Sequence, residues 1–596
     1  MPEVQLDLSA PCSQLVEVRI SLAPRQGPFL LSLPAWTPGS YLIRDYVRHL
    51  ERLQVCQGSR PLLLERLAAA QWRALGAGAE DGSAEVPAQG EPITIGYAIQ
   101  ATELTVRTCH LNSTHGFLAL AAVILQVEGE RWSPHRLTLR LPAGWQPFVP
   151  LPTSPAGGTV YGGSTAGGTT ANGWLARDYD QLIDSPVEAG PHPCHAFTVA
   201  GVGHRWVTWG DDLPAQDERW LADVAAVCLA CCRLIGEPAP AATSYLFILH
   251  LIDQGYGGLE HHDSTVLLYG RQALARPEGR RKLLQLVAHE YLHQWNVRRL
   301  RPAQLTPIDY DRASIVPTLW FAEGITSYVD QFLPLAAGLG SEQELLEDLG
   351  SDLSRYLLTP GRRVQSLLQS SEEAWVKLYR QDAHSGDNQI SYYLKGAVLA
   401  LVLDLHLRRH GSWLGAVLQQ LWQSLGRQGR GYSQQDLIQA FAGPAPDLST
   451  LLPSWLESTD DPPIALYLAD LGLRLVAESA ETWFSGLQLE IAAGGQLRLR
   501  RLERHGPAQQ AGLEVGDELL AIDRQRLTTL EEFTAHTRLG APEPPMLQLL
   551  IARRQKVEEL SLRLAPPQPQ RWTLQIDPEA AADCAVRRRR WARLQP

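Results

Sequence analysis

The segment LLQLVAHEYLHQW constrains this chain most, because it combines an apolar helical run with two histidines four residues apart. Residues at that spacing lie on one face of a helix, with β-carbons about 5–6 Å apart. His289 and His293 can therefore present two imidazoles to one metal ion. Glu290 lies beside them and can take a proton from water without binding the metal. The apolar residues before the motif favour a buried helix over a surface helix with two ordinary histidines.

A third metal ligand is predicted at Glu323, in the segment LWFAEGITSYVD. The apolar residues 319–322 precede it and indicate a mostly buried helix. A buried carboxylate without a partner costs several kcal/mol, so metal binding explains this glutamate better than packing does. The sequence thus predicts one Zn²⁺ per chain, bound by His289, His293 and Glu323, with Glu290 as the general base.

A second glutamate, Glu260, ends the segment YGGLE just before the apolar run STVLLYG. Gly257 and Gly258 allow another backbone to approach closely, as in an edge strand that binds an extended peptide. A carboxylate at the end of such a strand can pair with the free amine of a substrate. The plainer alternative is a glycine-rich turn with a solvated glutamate.

Several motifs together resemble the glycyl-aminopeptidase family of bacterial gluzincin metallopeptidases. The resemblance is carried by PAWTPGSYLIRDYVRHL, GGLEHHDST, HEYLHQWNVRRLRP and LWFAEGITSYVD, and it covers nearly the whole chain. It implies a β-rich N-terminal domain, a thermolysin-like catalytic domain and a PDZ domain. It also implies that Glu260 recognises the α-amino group and that substrates beginning with Gly or Ala are preferred.

The segment SYYLKGA is similar to the family segment whose tyrosine stabilises the tetrahedral intermediate. Tyr393 occupies that position, and Tyr392 does not. A phenol is a neutral donor at pH 7 whose hydrogen bond strengthens as the carbonyl oxygen gains charge. Tyr393 is therefore expected to be catalytic; the alternative is that both tyrosines are packed aromatics.

The fold class expected is multidomain α+β, because 596 residues exceed what one core holds. We expect a β-rich N-terminal domain at 1–190, a mainly helical catalytic domain at 191–460, a PDZ domain at 465–566 and a basic tail at 567–596. The PDZ prediction rests on GPAQQAGLEVGDELLAIDRQRL, with WFSGL (483–487) as the candidate carboxylate-binding loop. A degenerate domain used only for packing is the alternative. The stretch 156–174 is expected to be a loop or a wide hairpin.

The composition argues against some classes of binding partner. A net charge of −11 gives no general attraction to nucleic acid or anionic membranes. No secretory signal and no membrane-length apolar run is visible, so a cytoplasmic location is expected. Cys228, Cys231 and Cys232 are read as buried thiols of an apolar helix. The arginines of residues 587–590, with Arg593, favour a solvated tail, and contact with an anionic partner is the alternative.

The sequence thus predicts a zinc-dependent aminopeptidase. Its expected partners are peptides with a free N-terminus and, at the PDZ domain, C-terminal peptides. One alternative is a zinc endopeptidase acting on substrates recruited by the PDZ domain, in which Glu260 is incidental. The other is an inactive PDZ scaffold.

Overall fold

A computed structural model describes residues 1–75, 90–154, 169–170, 173–540 and 543–596. Most of the stretch 156–174 lies outside these residues. The chain divides into two compact units, which are described separately. The first comprises Met1–Ser314, Ala336–Leu339 and Leu418–Ser433, and the second comprises Ile315–Leu335, Gly340–Val417 and Gln434–Pro596.

The N-terminal part of the first unit is built from strands whose alternate residues are buried, as in Leu15–Leu22. Its elements are β1 (Glu3–Asp7), β2 (Leu15–Leu22), β3 (Phe29–Ser32), β4 (Leu50–Gln57), β5 (Arg60–Pro61), β6 (Leu64–Ala68), β7 (Gln71–Ala74), β8 (Ile93–Gln100), β9 (Cys109–Leu111), β10 (Gly116–Leu118), β11 (Gln126–Val127), β12 (His135–Leu141), β13 (Gln146–Phe148), β14 (Thr153–Ser154), β15 (Thr169–Thr170), β16 (Gly173–Ala176), α1 (Tyr179–Ile183) and β17 (Val187–Gly190).

These strands form three sheets. Their orders are β14-β16-β12-β1-β2-β8-β4-β5 with β15 against β12, then β13-β17-β10-β9, and β11-β3-β7-β6. The predicted β-rich character of this part of the chain is confirmed.

The rest of the first unit's main run combines a mixed sheet with helices. Its elements are β18 (Cys194–Val199), β19 (Val202–Trp209), α2 (Leu213–Gln216), α3 (Trp220–Ile235), β20 (Ser244–Ile252), β21 (Tyr256–Glu260), β22 (Ser264–Gly270), α4 (Arg271–Leu274) and α5 (Gly279–Leu292). The sheet order is β18-β19-β20-β22-β21, so β21 is an edge strand, as predicted for the GGLEH segment. Helix α5 packs against α3, β21 and β22. The thiols of α3 are buried, also as predicted.

Helices dominate the next part of the chain. A π-helical segment, Trp320–Ile325, is followed by α6 (Thr326–Val329), α7 (Leu333–Ala336), α8 (Glu342–Leu357), α9 (Leu367–Glu372), α10 (Ser385–Asn388), α11 (Tyr392–Arg409), α12 (Leu414–Ser424), α13 (Gln434–Ala442), α14 (Leu448–Glu457) and α15 (Ile464–Leu468). By length and composition alone, the stretch Ser385–Arg409 would suffice to cross a membrane, but 89% of its apolar window is buried inside the protein. That burial is typical of a core helix.

The C-terminal part returns to strands. Its elements are β23 (Leu473–Ser479), β24 (Leu487–Ile491), β25 (Leu497–Leu502), α16 (Pro507–Gln510), β26 (Glu518–Ile522), β27 (Gln525–Arg526), α17 (Leu530–Thr537), β28 (Met546–Arg553), β29 (Lys556–Arg563), β30 (Pro569–Ile576) and α18 (Ala582–Ala592). One sheet has the order β24-β25-β26-β28-β29 with β27 on β26, and β23 pairs with β30. Leu499, Leu519, Ile522 and Ile551 belong to the apolar core of this region.

The expectation of a solvated arginine tail is only partly confirmed, because Arg587, Arg589, Arg590 and Arg593 are exposed but the segment that carries them is not a free tail. Residues 582–592 form α18, in which Trp591 is fully buried and donates to the Tyr328 hydroxyl at 2.8 Å. Arg588 is buried as well; it ion-pairs with Glu342 at 2.5 Å and donates to the Leu471 carbonyl at 2.9 Å. Burial of the indole and pairing of the guanidinium outweigh the solvation of the charge run, which the sequence pattern alone does not reveal.

Candidate active site

The two histidines of the HEYLH motif lie at the end of α5. Their ring centroids are 4.7 Å apart, and the rings meet edge to face. His293 is buried, with its Nδ1 2.6 Å from the Asn296 carbonyl, whereas His289 is only partly buried. A carbonyl only accepts, so Nδ1 carries the hydrogen and Nε2 of His293 keeps the lone pair that a metal needs. The donors of this helix therefore fit a metal ion.

Glu290 is buried and faces the edge strand β21. Gly258 lies directly against its side chain: a β-carbon at that position would come within 2.6 Å of Cγ and overlap Oε1. Glu290, Glu260 and His293 each offer a ligand atom, and these atoms lie within 4.8 Å of one another. The first unit thus gathers two buried carboxylates and one imidazole at the end of α5.

Glu260 is the last residue of β21 and is only 3% exposed. Its Oε1 has no hydrogen-bond partner among the described residues. The turn at Gly39, where φ is +83°, approaches from another part of the first unit, and a β-carbon there would lie 2.5 Å from Oε2. A buried carboxylate with an unsatisfied oxygen is costly unless a cation pairs with it. The site therefore suits a positively charged ligand.

An arginine that follows the HEYLH motif lies near Glu260. Arg298 is buried and pairs with Asp184 at 2.6 Å, and Asp184 also contacts Nδ1 of His261 at 3.1 Å. Burial alone would raise the pKa of Asp184, but Arg298 and His261 hold it well below its usual range. Burial lowers the pKa of Arg298, but the negative charges of Asp184 and then Glu260 raise it by more. Sequence analysis missed this network; the paired arginines after the motif were its signal.

Two further arginines bind the edge strand β21 and the residues that follow it. Arg299 pairs with Asp263 at 2.8 Å. Arg107 donates to the Gly258 carbonyl at 3.3 Å. Gly257, by contrast, faces open space, since no atom lies within 4 Å of the position of its β-carbon. One glycine of the pair is therefore required by packing, and the other lies open on the strand.

Glu323 belongs to the second unit, in the π-helical segment, and is 1% exposed. Gly324, next to it, faces Gly396 of α11: a β-carbon on Gly324 would lie 2.6 Å from the Gly396 Cα. The π-helical segment and α11 therefore pack backbone against backbone. The predicted helix around Glu323 is present and buried, in π-helical form.

Tyr393 is the second residue of α11, and its backbone amide donates to the Ser391 hydroxyl at 3.2 Å. Tyr393 is partly exposed, whereas Tyr392 is fully buried. The hydroxyl of Tyr379 lies 3.4 Å from that of Tyr393 and 3.3 Å from that of Tyr392. Burial, and then the charge of Glu323, raises the pKa of Tyr393 well above its usual value, so it stays a neutral donor. Sequence analysis missed Tyr379, which no motif marked.

The predicted residues are thus divided between the two units. The first contains His289, His293, Glu290, Glu260, Gly257 and Gly258, and the second contains Glu323 and Tyr393.

Comparison with known proteins agrees with the motifs. The model of the M61 glycyl aminopeptidase family matches residues 282–399, and the model of the peptidase M61 N-terminal domain matches residues 3–191. A search of the curated proteins finds no match.

Among solved structures, the chain is similar to an aminopeptidase N family protein from Idiomarina loihiensis, with 26% identity, a TM-score of 0.87 and coverage of 98% of this chain and 99% of that chain. An M1 zinc metallopeptidase from Deinococcus radiodurans matches with 15% identity, a TM-score of 0.48 and coverage of 78% of this chain and 94% of that chain. Yeast LTA4 hydrolase in complex with bestatin matches with 14% identity, a TM-score of 0.47 and coverage of 78% and 68%.

The two matched regions together span more than half of the chain. With the histidine donors of α5, they imply zinc as the metal. The chain therefore belongs to the M61 glycyl aminopeptidase family and is a metallo-aminopeptidase.

Proposed function

We propose that this metallo-aminopeptidase removes single residues from the free amino end of peptides and prefers glycine or alanine there. We further propose that it uses one catalytic zinc per chain, bound by His289, His293 and Glu323. The preference for glycine rests on the description of the family, and its extension to alanine rests on the family resemblance of the sequence motifs. The metal assignment rests on the donor chemistry and on the sequence spacing.

The observation that carries the aminopeptidase proposal is the carboxylate of Glu260. It is buried at the end of an edge strand, and one of its oxygens has no partner among the described residues. The α-ammonium of a peptide would supply a charged hydrogen-bond donor for that oxygen. Its charge-assisted hydrogen bond is worth about 1.5–3 kcal/mol. Because Glu290 lies next to Glu260, binding of the amine also places the first peptide bond near the general base.

The outer side of β21 supplies the second contact with substrate. Only β22 pairs with β21 in the described sheet, so the opposite edge of β21 can receive an extended peptide, apart from the Gly258 carbonyl, which accepts from Arg107. Gly257 and Gly258 let that peptide approach without side-chain obstruction. Pairing of the substrate amine with Glu260 fixes the position of the peptide along β21. Only the substrate residues after the N-terminal one can then bind the strand.

Zinc bound to this chain would polarise the scissile carbonyl and acidify the attacking water. Glu290 takes the proton from that water and returns it to the leaving amine. Tyr393 donates its phenol hydrogen to the oxygen of the carbonyl as charge develops there. Two observations support these roles: Glu290 lies against Gly258, and Tyr393 is the partly exposed member of the tyrosine pair.

The accessory parts of the chain belong to the same proposal. We place the N-terminal domain at 1–190, the catalytic domain at 191–460 and a PDZ domain at 465–566. In the C-terminal part, residues 483–487 line a cavity together with Arg501 and Gln568, which supports binding of C-terminal peptides there. We also propose a cytoplasmic location, because eight cysteines scattered over 596 residues do not resemble the disulfide framework of a secreted protein.

A panel of aminoacyl and peptide substrates tests the proposal. Glycyl and alanyl substrates with a free amine should be cleaved with higher kcat/KM than leucyl or arginyl ones. The same peptides with an acetylated amine should be cleaved far more slowly. Equal cleavage of free and acetylated peptides would instead establish an endopeptidase, in which Glu260 has no role in substrate binding.

A further inference from the structure

Four of the chain's 17 histidines cluster around one buried carboxylate outside the residues assigned above. Glu188 is completely buried. Its Oε1 lies 3.0 Å from Nδ1 of His115 and 3.0 Å from Nε2 of His192, and its Oε2 lies 2.9 Å from Nε2 of His250. Nδ1 of His110 lies 2.8 Å from Nε2 of His115. All hydrogen-bond partners found for the Glu188 carboxylate among the described residues are imidazoles.

The cluster connects two sheets of the first unit. Glu188 lies in β17, and His115 directly precedes β10, the neighbouring strand of the β13-β17-β10-β9 sheet. His250 lies in β20, at the middle of the sheet that ends in β21. Phe117 of β10 packs on the ring of His250, with centroids 4.8 Å apart. A group bound between these side chains would therefore hold the two sheets together.

The charge of the cluster requires compensation. Neutral imidazoles that donate to Glu188 leave one negative charge fully buried, and burial of an unpaired charge costs several kcal/mol. A divalent cation would compensate it, and so would a proton shared among the imidazoles. Imidazole nitrogens and carboxylate oxygens are also the ligands that zinc prefers in the absence of cysteine.

We propose that Glu188, His115 and His250 bind a structural divalent transition metal, zinc by preference, as a second metal site of this chain. One ligand atom from each lies within 4.8 Å of the others. A tetrahedral zinc with bonds of about 2.0–2.1 Å needs donors roughly 3.3 Å apart, so shifts of about 1 Å suffice. This ligand set is independent of the catalytic residues.

The surrounding residues orient these ligands as the neighbours of a metal site do. His110 contacts the outer nitrogen of His115, and the indole of Trp209 stacks on the His115 ring with centroids 3.9 Å apart. His192 holds Glu188 from the other side. Its ring fits only because residue 190 is glycine: a β-carbon there would come within 2.5 Å of the ring Cε1.

Metal content of the full-length protein tests the proposal. After purification with zinc and desalting, the wild type should contain about two zinc ions per chain, and His289→Ala and Glu188→Gln about one each. His195→Gln is the matched control, because His195 also contacts a carboxylate, that of Asp212 at 3.0 Å, but lies outside the cluster. It should leave the count at about two.

The zinc counts distinguish an error in the second-site proposal from an error in the catalytic assignment. If the wild type holds about one zinc and His289→Ala holds none, the second site is wrong and the cluster is a hydrogen-bond network. If Glu188→Gln lowers the count but His289→Ala does not, the catalytic assignment is wrong and the second site stands. Should Glu188→Gln fail to fold, the protonation of the His250 ring in the wild type decides, because that measurement needs no variant.

Histidine ¹⁵N NMR on the wild type is a second measurement. Nδ1 of His250 has no partner among the described residues, so the contact at Nε2 sets the tautomer. Metal binding at Nε2 places the hydrogen on Nδ1, and a hydrogen on Nε2 would overturn the proposal.

Discussion

Gly258 of the edge strand and Glu290 of the metal-binding helix are in direct contact, so close that a single β-carbon at position 258 would overlap the Glu290 carboxylate. The proposed general base is therefore held in place by the strand that is proposed to bind the substrate backbone. Because Gly258 contacts the general base and also belongs to the substrate-binding strand, a substitution at position 258 would disturb proton transfer and substrate binding together.

Gly258→Ala should lower kcat by about 10²-fold, since a displacement of about 1 Å at a catalytic group has that effect. Gly257→Ala is the matched control, because no atom lies within 4 Å of its β-carbon position, and it should retain most of the activity. Kinetics of both variants on one glycyl substrate would check this. Similar kcat values for the two would contradict the proposed contact.

Glu290→Gln should keep its metal and lose turnover by about 10²–10⁴-fold, because only the proton-transfer group is removed. Metal analysis and single-turnover kinetics on the same preparation would establish both points. Removal of the metal from the wild type with a chelator should abolish hydrolysis, and added zinc should restore it. A Glu290→Gln variant with near-normal turnover would exclude this residue as the base.

Tyr393→Phe should reduce kcat by about 10²–10³-fold with little change in KM, because the donor acts mainly in the transition state. Tyr392→Phe removes the same hydroxyl from a fully buried neighbour on the same helix and should have a mild effect. Steady-state kinetics of the two variants distinguishes a catalytic role of the Tyr393 hydroxyl from a role in packing around Tyr379. Equal small effects would remove Tyr393 from the mechanism.

Glu260→Ala should lower kcat/KM for free aminoacyl substrates by roughly tenfold to a few hundredfold, the equivalent of one charge-assisted hydrogen bond. Acetylation of the substrate amine should slow the wild type strongly and the variant much less, because the variant has already lost the partner. The comparison is a double-mutant cycle between enzyme and substrate. Additive effects would show that the amine does not pair with Glu260.

Trp591→Ala should destabilise the protein by about 3–5 kcal/mol, the usual cost of removing a buried large aromatic side chain. Arg593→Ala, at an exposed position of the same C-terminal segment, should change stability by less than about 0.5 kcal/mol. Urea denaturation of both variants measures the difference. Equal stability would mean that α18 is not docked in solution.

The sequence by itself determined those helices, strands and site residues that can be recognised from a pattern of a few neighbouring residues. The HEYLH helix, the buried helix around Glu323 and the strand YGGLE follow from patterns of a few residues, because helix and strand geometry places those side chains on fixed faces. The edge position of YGGLE was predictable as well, since the paired glycines fit a strand that is open on one side.

Only the tertiary structure decided which distant residues meet. The pairing of Arg298 with Asp184, the approach of Gly39 to Glu260 and the histidines around Glu188 join segments far apart in the chain, and no local pattern records such contacts. The arginine-rich terminus shows the same limit. Most of its arginines are exposed, as the charge run indicated, but Trp591 and Arg588 are buried because their partners Tyr328 and Glu342 lie far away in the sequence.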